Sequence, residues 1–366
     1  MKHPIIKATF EHGQSLWLDY ISRKLLDSGE LARMIDEGVR GMTSNPTIFQ
    51  QAIIGSSDYD ADILAGIECN WSPQETFEHL AVADVQRAAD ALHPVYVSSD
   101  GADGFVSLEV SPKLAHNTEK TVVEAQRLWK KVDRPNLMIK VPGTEEGLPA
   151  VRLLLADGIN VNVTLIFSLR QYRSVLETYL QAMEERIGCS DDVSTVASVA
   201  SFFVSRVDTA ADKQLLAKGQ SKLIGKAAVA NACIAYRHFL EVTASSRWKA
   251  LAERGARVQR PLWASTSTKD PAYSDVLYIE ELVAKHTVNT LPPVTLDAWK
   301  DHGRPSGRLV ENLKTAEETF ERITHAGVDL QKITEDLIED GVKKFTDSYD
   351  DVLTAIEGRV QAGNLA

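Results

Sequence analysis

Cysteine is scarce in this chain of 366 residues: Cys69, Cys189 and Cys233 are odd in number and far apart. That spacing excludes a disulfide framework and predicts isolated, buried thiols. Positive charge is also short, with 40 Lys and Arg against 51 Asp and Glu and a formal net charge of −11. Nucleic acid and anionic membrane both attract through basic surface, so neither is expected as a partner. A phosphorylated ligand would have to be met by local charge. No apolar run reaches the roughly 18 residues of a membrane span, and the opening MKHPIIKATFEHGQ holds no apolar stretch of signal-peptide length. The expected location is cytoplasmic. The nine histidines include no pair three or four apart, which argues against a helical metal site, so no metal and no cofactor is expected. A near-miss to a phosphate loop, Gly219 to Gly225-Lys226, has five residues between its glycines where the loop needs four. Internal repeats, low-complexity tracts and Pro- or Gly-rich linkers are missing, so residues 1–366 are expected to form a single domain.

What is present is 44% hydrophobic and 25% charged residues, ample for a large core. Short apolar runs alternate with amphipathic helical stretches along the whole chain, the pattern of a parallel sheet wrapped by helices. Eight segments read as strands: 15–20, 41–45, 105–110, 137–141, 160–167, 195–203, 261–266 and 286–291. Eight βα units predict an α/β fold, a single (β/α)8 TIM barrel whose functional residues lie at the C-terminal ends of its strands. Asn45-Pro46, Ser111-Pro112 and Asp270-Pro271 each place a capping side chain before a first-turn proline, and Ser168 with Gln171 reads as a capping box. An insertion of some 60 residues separates strands two and three. Its capping box Ser72-Pro73-Gln74-Glu75 opens a helix with Phe77, Leu80, Ala81, Val85, Ala88 and Leu92 at helical spacing, expected to pack outside the barrel. Beyond strand eight, a helical tail carries the stripe Val342, Phe345, Tyr349, Val352, Leu353 and Ile356. The stripe is expected to dock on the barrel wall, with an oligomer contact as the alternative; monomer and homodimer both stay open.

Strand parity sorts the polar residues, because successive side chains point to opposite faces. In 160–167, Val161, Val163 and Leu165 share one parity while Asn160, Asn162 and Thr164 share the other. Polar groups on the helix-facing side would each need a buried partner, so the polar set is expected to face the axis. By the same test Met138 and Lys140, Ser107 and Glu109, and Trp17 and Asp19 face inward. One lysine and two carboxylates then converge at one end of the barrel, with Asn45, Asn162, Thr164 and Ser201 around them. Each has an ordinary structural reading: Asn45 is a good N-cap, Glu109 could simply pair with Lys140, and Asp19 could accept hydrogen bonds from a loop. Together they are expensive to desolvate, and such groups are kept for function or as structural ion pairs.

An amine attacks a ketone only when unprotonated, and a low-dielectric interior disfavours the ammonium form. Lys140 is therefore the candidate Schiff-base residue. A protonated imine withdraws electrons from the neighbouring carbon–carbon bond, so a carboxylate that removes a hydroxyl proton drives retro-aldol cleavage; Asp19 suits that role. Glu109 suits proton shuttling through a water during imine formation. Cations beyond the later strands, Arg206 and Lys269, are candidates for a phosphate site.

The motifs LWLDYI with Asp19, TSNPTIF with Asn45, SLEVSP with Glu109, MIKVPGT with Lys140, NVTLIFS with Asn162 and Thr164, and SFFVSRVD with Ser201 and Arg206 follow one another in order. Along nearly its whole length the chain resembles the transaldolase family of class I aldolases, in its longer bacterial branch. The resemblance implies that Lys140 forms the Schiff base, Asp19 is the acid/base at the cleaved bond, and Glu109 with Thr164 positions a catalytic water. It implies that Asn45, Asn162 and Ser201 hold the dihydroxyacetone hydroxyls and that Arg206 binds phosphate. The implied reaction moves a dihydroxyacetone unit from fructose 6-phosphate or sedoheptulose 7-phosphate to erythrose 4-phosphate or glyceraldehyde 3-phosphate, a step of the non-oxidative pentose phosphate pathway. Sugar phosphates are the implied partners. Many members carry Ala-Ser-Phe-Arg after strand seven; here Ala264-Ser265-Thr266-Ser267-Thr268-Lys269 stands instead, which leaves Lys269 as the second cation. An acceptor-free fructose 6-phosphate aldolase would typically carry Gln in place of Glu109 and Tyr near Phe203, and both positions favour transfer. A silent sugar-phosphate-binding barrel predicts loss of the lysine or the carboxylates, and a metal-dependent aldolase predicts a histidine cluster.

Overall fold

The computed structural model describes residues 1–363. Eight parallel strands close in sequence order into a barrel: β1 (Gln14–Asp19), β2 (Met42–Thr43), β3 (Val106–Glu109), β4 (Leu137–Pro142), β5 (Val161–Ile166), β6 (Ser198–Phe203), β7 (Arg260–Ala264) and β8 (Thr287–Leu291). They are the eight segments read from sequence, with shifted bounds. β2 is only two residues long, because Asn45 already turns the chain into a helix, and β6 starts at 198 rather than 195.

The helix-facing residues Leu137, Ile139, Val141, Val161 and Val163 are fully buried. Each contributes on the order of 1.5–3 kcal/mol by leaving water. The helix Gly147–Ala156 covers them with Ala150, Val151, Leu154 and Leu155. Alternation holds through Thr164 and then breaks: the register of β5 against β6 shifts between Val163 and Ile166, and Leu165 sits at φ 57°. This irregularity turns Leu165 toward the C-terminal helix Leu330–Gly363, where a Cβ on Gly341 would lie 2.9 Å from Leu165 Cδ2.

Helix entry follows the caps in part. Asn45 and Ser168 accept from the amides of Ile48 and Gln171, both at 3.0 Å. Gln171 Oε1, however, accepts from Phe167 N at 3.0 Å instead of closing a box on Ser168. Ser111-Pro112 opens only a 3-10 turn without a side-chain cap, and the long helix starts later at Thr118, capped by Asn117. Asp270-Pro271 starts no helix: Asp270 Oδ1 accepts from Ala272 N at 2.9 Å, a local turn that competes with helix, and the next helix is Leu277–Glu281.

The insertion forms helices Pro46–Ile54, Asp60–Glu68 and Pro73–Ser98, the last with its complete capping box. Leu80, Ala81, Val85, Ala88 and Leu92 are buried on its inner face and Phe77 is half-buried. Fully buried Asp84 binds it down by accepting from Arg23 Nε at 2.9 Å and Tyr59 Oη at 2.8 Å.

The C-terminal helix buries Phe345, Tyr349, Val352 and Ile356. It docks on the barrel against β5 and the helix Ser205–Ala217, as expected, and also lies along the inserted helices and reaches the barrel mouth. Tyr349 meets Phe77 edge to face at 5.3 Å, and Ser348 Oγ bonds Thr47 Oγ1 at 2.8 Å. The cysteines depart from expectation, since only Cys233 is buried, its thiol pushed up to about 12 by burial. Cys69 and Cys189 are exposed because each ends a helix at the surface. Among the described residues, no helix is long and apolar enough to cross a membrane.

Candidate active site

Strand register builds the centre. Glu109 on β3 is the lateral neighbour of Lys140 on β4, which in turn neighbours Asn162 on β5. Buried Lys140 Nζ donates to Ser44 O at 2.9 Å and lies 3.1 Å from Glu109 Oε2. Apart from this ion pair, the Glu109 carboxylate meets no donor among the described residues. Burial raises the Glu109 carboxyl above the usual carboxylate range against the pull of Lys140, and the charge of Asp19 adds to the rise.

Asp19 ends β1 and accepts from Thr43 Oγ1 at 2.6 Å, itself 2.7 Å from Thr290 Oγ1. Burial also raises Asp19, while the Thr43 hydroxyl and the charges of Lys140 and Lys269 oppose it. Asn162 Nδ2 donates to Ser107 Oγ at 3.0 Å and its Oδ1 accepts from Ser201 Oγ at 2.6 Å. Thr164 Oγ1 is buried with no partner, leaving a hydroxyl free to hold a water or a substrate oxygen.

A cavity of about 580 Å³ opens at the C-terminal ends of the strands. Seven of the nine residues named from sequence line it: Asp19, Asn45, Lys140, Thr164, Ser201, Arg206 and Lys269. Glu109 lies behind Lys140, with Phe49, Phe77 and Tyr349 around a second space on its far side, and Asn162 is held by Ser107 and Ser201. Asn45 takes its ordinary structural role as N-cap and lines the cavity as well. Arg206, second residue of the helix Ser205–Ala217, has its guanidinium 5.5 Å from the Phe203 ring, and its Nη1 is buried without a partner. Burial holds Arg206 below the usual arginine range, opposed by Asp340. Lys269, exposed at the rim, donates to Ser267 Oγ at 2.7 Å. An uncompensated buried guanidinium nitrogen next to a lysine is a place for an anion.

Three residues escaped the reading of the sequence. Thr43 orients Asp19, and its signal was its place in TSNPT beside Asn45. Ser44 supplies the carbonyl that holds Lys140 Nζ, a backbone role without a side-chain signature. Phe345, almost the whole barrel's length away in sequence, lines the cavity with its ring centroid 5.8 Å from Lys140 Nζ.

A (β/α)8 barrel whose mouth holds a lysine ion-paired to one buried carboxylate, with a second carboxylate facing the same cavity, has the make-up of a class I aldolase. The chain belongs to the Transaldolase/Fructose-6-phosphate aldolase family, whose sequence model matches residues 16–356. It is 48% identical over 355 residues to a transaldolase of Saccharopolyspora erythraea, covering 96% of each chain. It is 46% identical over 367 residues to a transaldolase of Mycobacterium marinum, with 99% of this chain and 98% of the relative covered. A protein named Transaldolase 2 from Nostoc sp. is 43% identical over 366 residues, at 96% of each. Of the two activities that the family description joins, these relatives favour transaldolase.

Proposed function

We propose that this enzyme transfers a dihydroxyacetone unit between sugar phosphates through an imine on Lys140. The observation that carries the reading is the Lys140–Glu109 pair at 3.1 Å, with Asp19 facing the same cavity. A proton passed from Nζ to Glu109 leaves a free amine beside a neutral carboxyl, and burial, which raises Glu109, favours that transfer. The amine adds to the ketone carbon of the donor, and Glu109 returns the proton, through a water held with Thr164, to the departing hydroxyl. Asp19 then takes the proton of the hydroxyl beyond the breaking carbon–carbon bond. The electrons of that bond pass into the iminium, leaving an enamine on Lys140 and releasing an aldose phosphate. The acceptor aldehyde enters, the enamine attacks it, and Asp19 returns its proton to the new hydroxyl. The water at Glu109 and Thr164 then adds to the new iminium carbon so that the carbon–nitrogen bond breaks, freeing the ketose phosphate and Lys140. Asn45, Asn162 and Ser201 hold the dihydroxyacetone hydroxyls in this scheme.

Arg206 and Lys269 hold the phosphate. Where many members carry Ala-Ser-Phe-Arg after strand seven, this chain has Ala264-Ser265-Thr266-Ser267-Thr268-Lys269, and the Lys269 ammonium donates to Ser267 Oγ at 2.7 Å. Lys269 supplies a point charge where an arginine would supply a fork. A cytoplasmic location accompanies this reading, to be checked by cell fractionation.

The test measures glyceraldehyde 3-phosphate release from fructose 6-phosphate in EDTA, with and without erythrose 4-phosphate. Release that depends on the acceptor is expected. Borohydride added with fructose 6-phosphate should fix a reduced adduct on Lys140, seen by peptide mass. Lys140→Met should lose turnover by about four orders of magnitude or more, as removal of a covalent nucleophile does, with the fold intact because Met keeps the stem volume. Turnover at the wild-type rate in that variant would overturn the assignment.

A further inference from the structure

The Lys140 reading leaves one wall of the cavity without a role. Phe345 comes from the C-terminal helix, far from the barrel strands in sequence, yet its side chain is buried at 3% exposure over Lys140. Its position is tied down on both sides. Toward the insertion, Thr47–Ser348, the Gln50–Asp351 hydrogen bond at 2.8 Å and the Tyr349–Phe77 edge hold the helix. Toward the barrel, Gly341 lets the helix approach the bulged Leu165, and Arg206 Nη1 lies 3.7 Å from where a Gly341 Cβ would be.

We infer that Phe345 is a specificity-determining residue that keeps water off the Lys140 adduct and so sets the ratio of transfer to hydrolysis. This rests on the Lys140 imine. After the aldose phosphate leaves, the enamine has two fates. It attacks an acceptor aldehyde, which is transfer, or it takes a proton at carbon and becomes an iminium again. Water then adds to the iminium carbon, the carbon–nitrogen bond breaks with its electron pair going to Lys140, and dihydroxyacetone is released at the cost of one water. Transfer too ends with one water adding to an iminium, that of the new ketose, so the two fates part by whether bulk water reaches the adduct before an acceptor does. The ring over Nζ walls the adduct on the side of the C-terminal helix and offers bulk water there no hydrogen-bond partner. Phe203, near Arg206, walls another side of the same cavity.

The experiment compares wild type, Phe345→Ala and Phe345→Leu by two rates from fructose 6-phosphate: dihydroxyacetone release without acceptor, and transfer to erythrose 4-phosphate. Phe345→Ala should raise the release-to-transfer ratio by about tenfold as bulk water gains access to the adduct. Phe345→Leu, which keeps apolar bulk, should recover part of the difference, at roughly threefold. Thermal unfolding is followed alongside; if Phe345→Ala unfolds, Phe345→Leu carries the test. A ratio unchanged in the folded variants, or both rates falling together, would reduce Phe345 to a packing residue and overturn the inference. Borohydride trapping separates the two readings. A wild-type enzyme that transfers without a trappable adduct on Lys140 refutes the imine and this inference with it, whereas trapping with an unchanged ratio refutes this inference alone.

Discussion

Asp19 and Thr43 show how a single hydroxyl tunes a buried carboxylate. In the proposed mechanism Asp19 must be ionised to take a proton, yet burial holds its carboxyl above the usual range, and the Thr43 hydroxyl at 2.6 Å is the strongest opposing influence. Thr43→Val keeps the shape and removes that donor. The acidic limb of the kcat/KM profile should therefore move to higher pH in Thr43→Val, with a smaller change on the plateau. A limb that stays in place would mean that another group governs it. Lys269 offers a second single-residue check. Lys269→Ala should raise KM for phosphorylated donors by about tenfold, as loss of one charge-assisted contact does, while kcat changes less. Most of these residues were legible because strand parity alone sends Lys140, Glu109, Asp19 and Thr164 to one face. Thr43 and Phe345 were not, because what they do depends on partners brought together only by closure of the fold.

The strands were readable as elements because each is a short apolar run bounded by helix-start chemistry. Where that chemistry failed, at Asp270-Pro271, the aspartate satisfied its own neighbour's amide and the chain turned instead. The tail helix was readable as an amphipathic stripe but not as a mouth-covering element. Its apolar face fits any apolar surface, and only the inserted helices decide which one. Between elements, the helix Ser205–Ala217 is tied to its successor by Asp208, which accepts from Ala228 N at 2.7 Å and from Tyr278 Oη at 2.9 Å. Burial pushes the Asp208 carboxyl up to about 7. The unfolded chain releases this proton near pH 4, so between about 4 and 7 the folded state holds a proton that the unfolded state has lost. Stability contributed by Asp208 is thus complete below the unfolded value and drains away as pH rises toward 7. Urea unfolding at pH 5 and pH 7 should show this slope, at most about 1.4 kcal/mol per pH unit. Asp208→Asn should flatten it, and equal slopes in the two proteins would refute the coupling.

At the scale of the whole molecule, the two ends of the barrel divide the work. Opposite the cavity, buried Asp103 accepts from Ser15 Oγ at 2.7 Å and Trp17 Nε1 at 3.2 Å, and pairs with Arg260 at 3.0 Å and Arg40 at 3.5 Å. Asp103→Ala would strand two largely buried guanidinium groups at the closed end. It should cost about 3–5 kcal/mol of stability, read by denaturant titration, while kcat of the folded fraction stays at the wild-type value. A marked fall in kcat at constant folded fraction would show that the ends are coupled.

The position of Phe345 also orders events during synthesis. The last barrel strand ends at Leu291, so the lysine, both carboxylates, Arg206 and Lys269 have all left the ribosome before the covering ring is made. At about 5–20 residues per second, the intervening stretch of roughly fifty residues takes several seconds. During that interval a nascent barrel would carry its amine open to water and to any passing aldehyde. If Phe345 shields the amine as proposed, completion of this helix is the step that commits Lys140 to its sugar, and an enzyme clipped within it would be a leaky catalyst before it was an unfolded one.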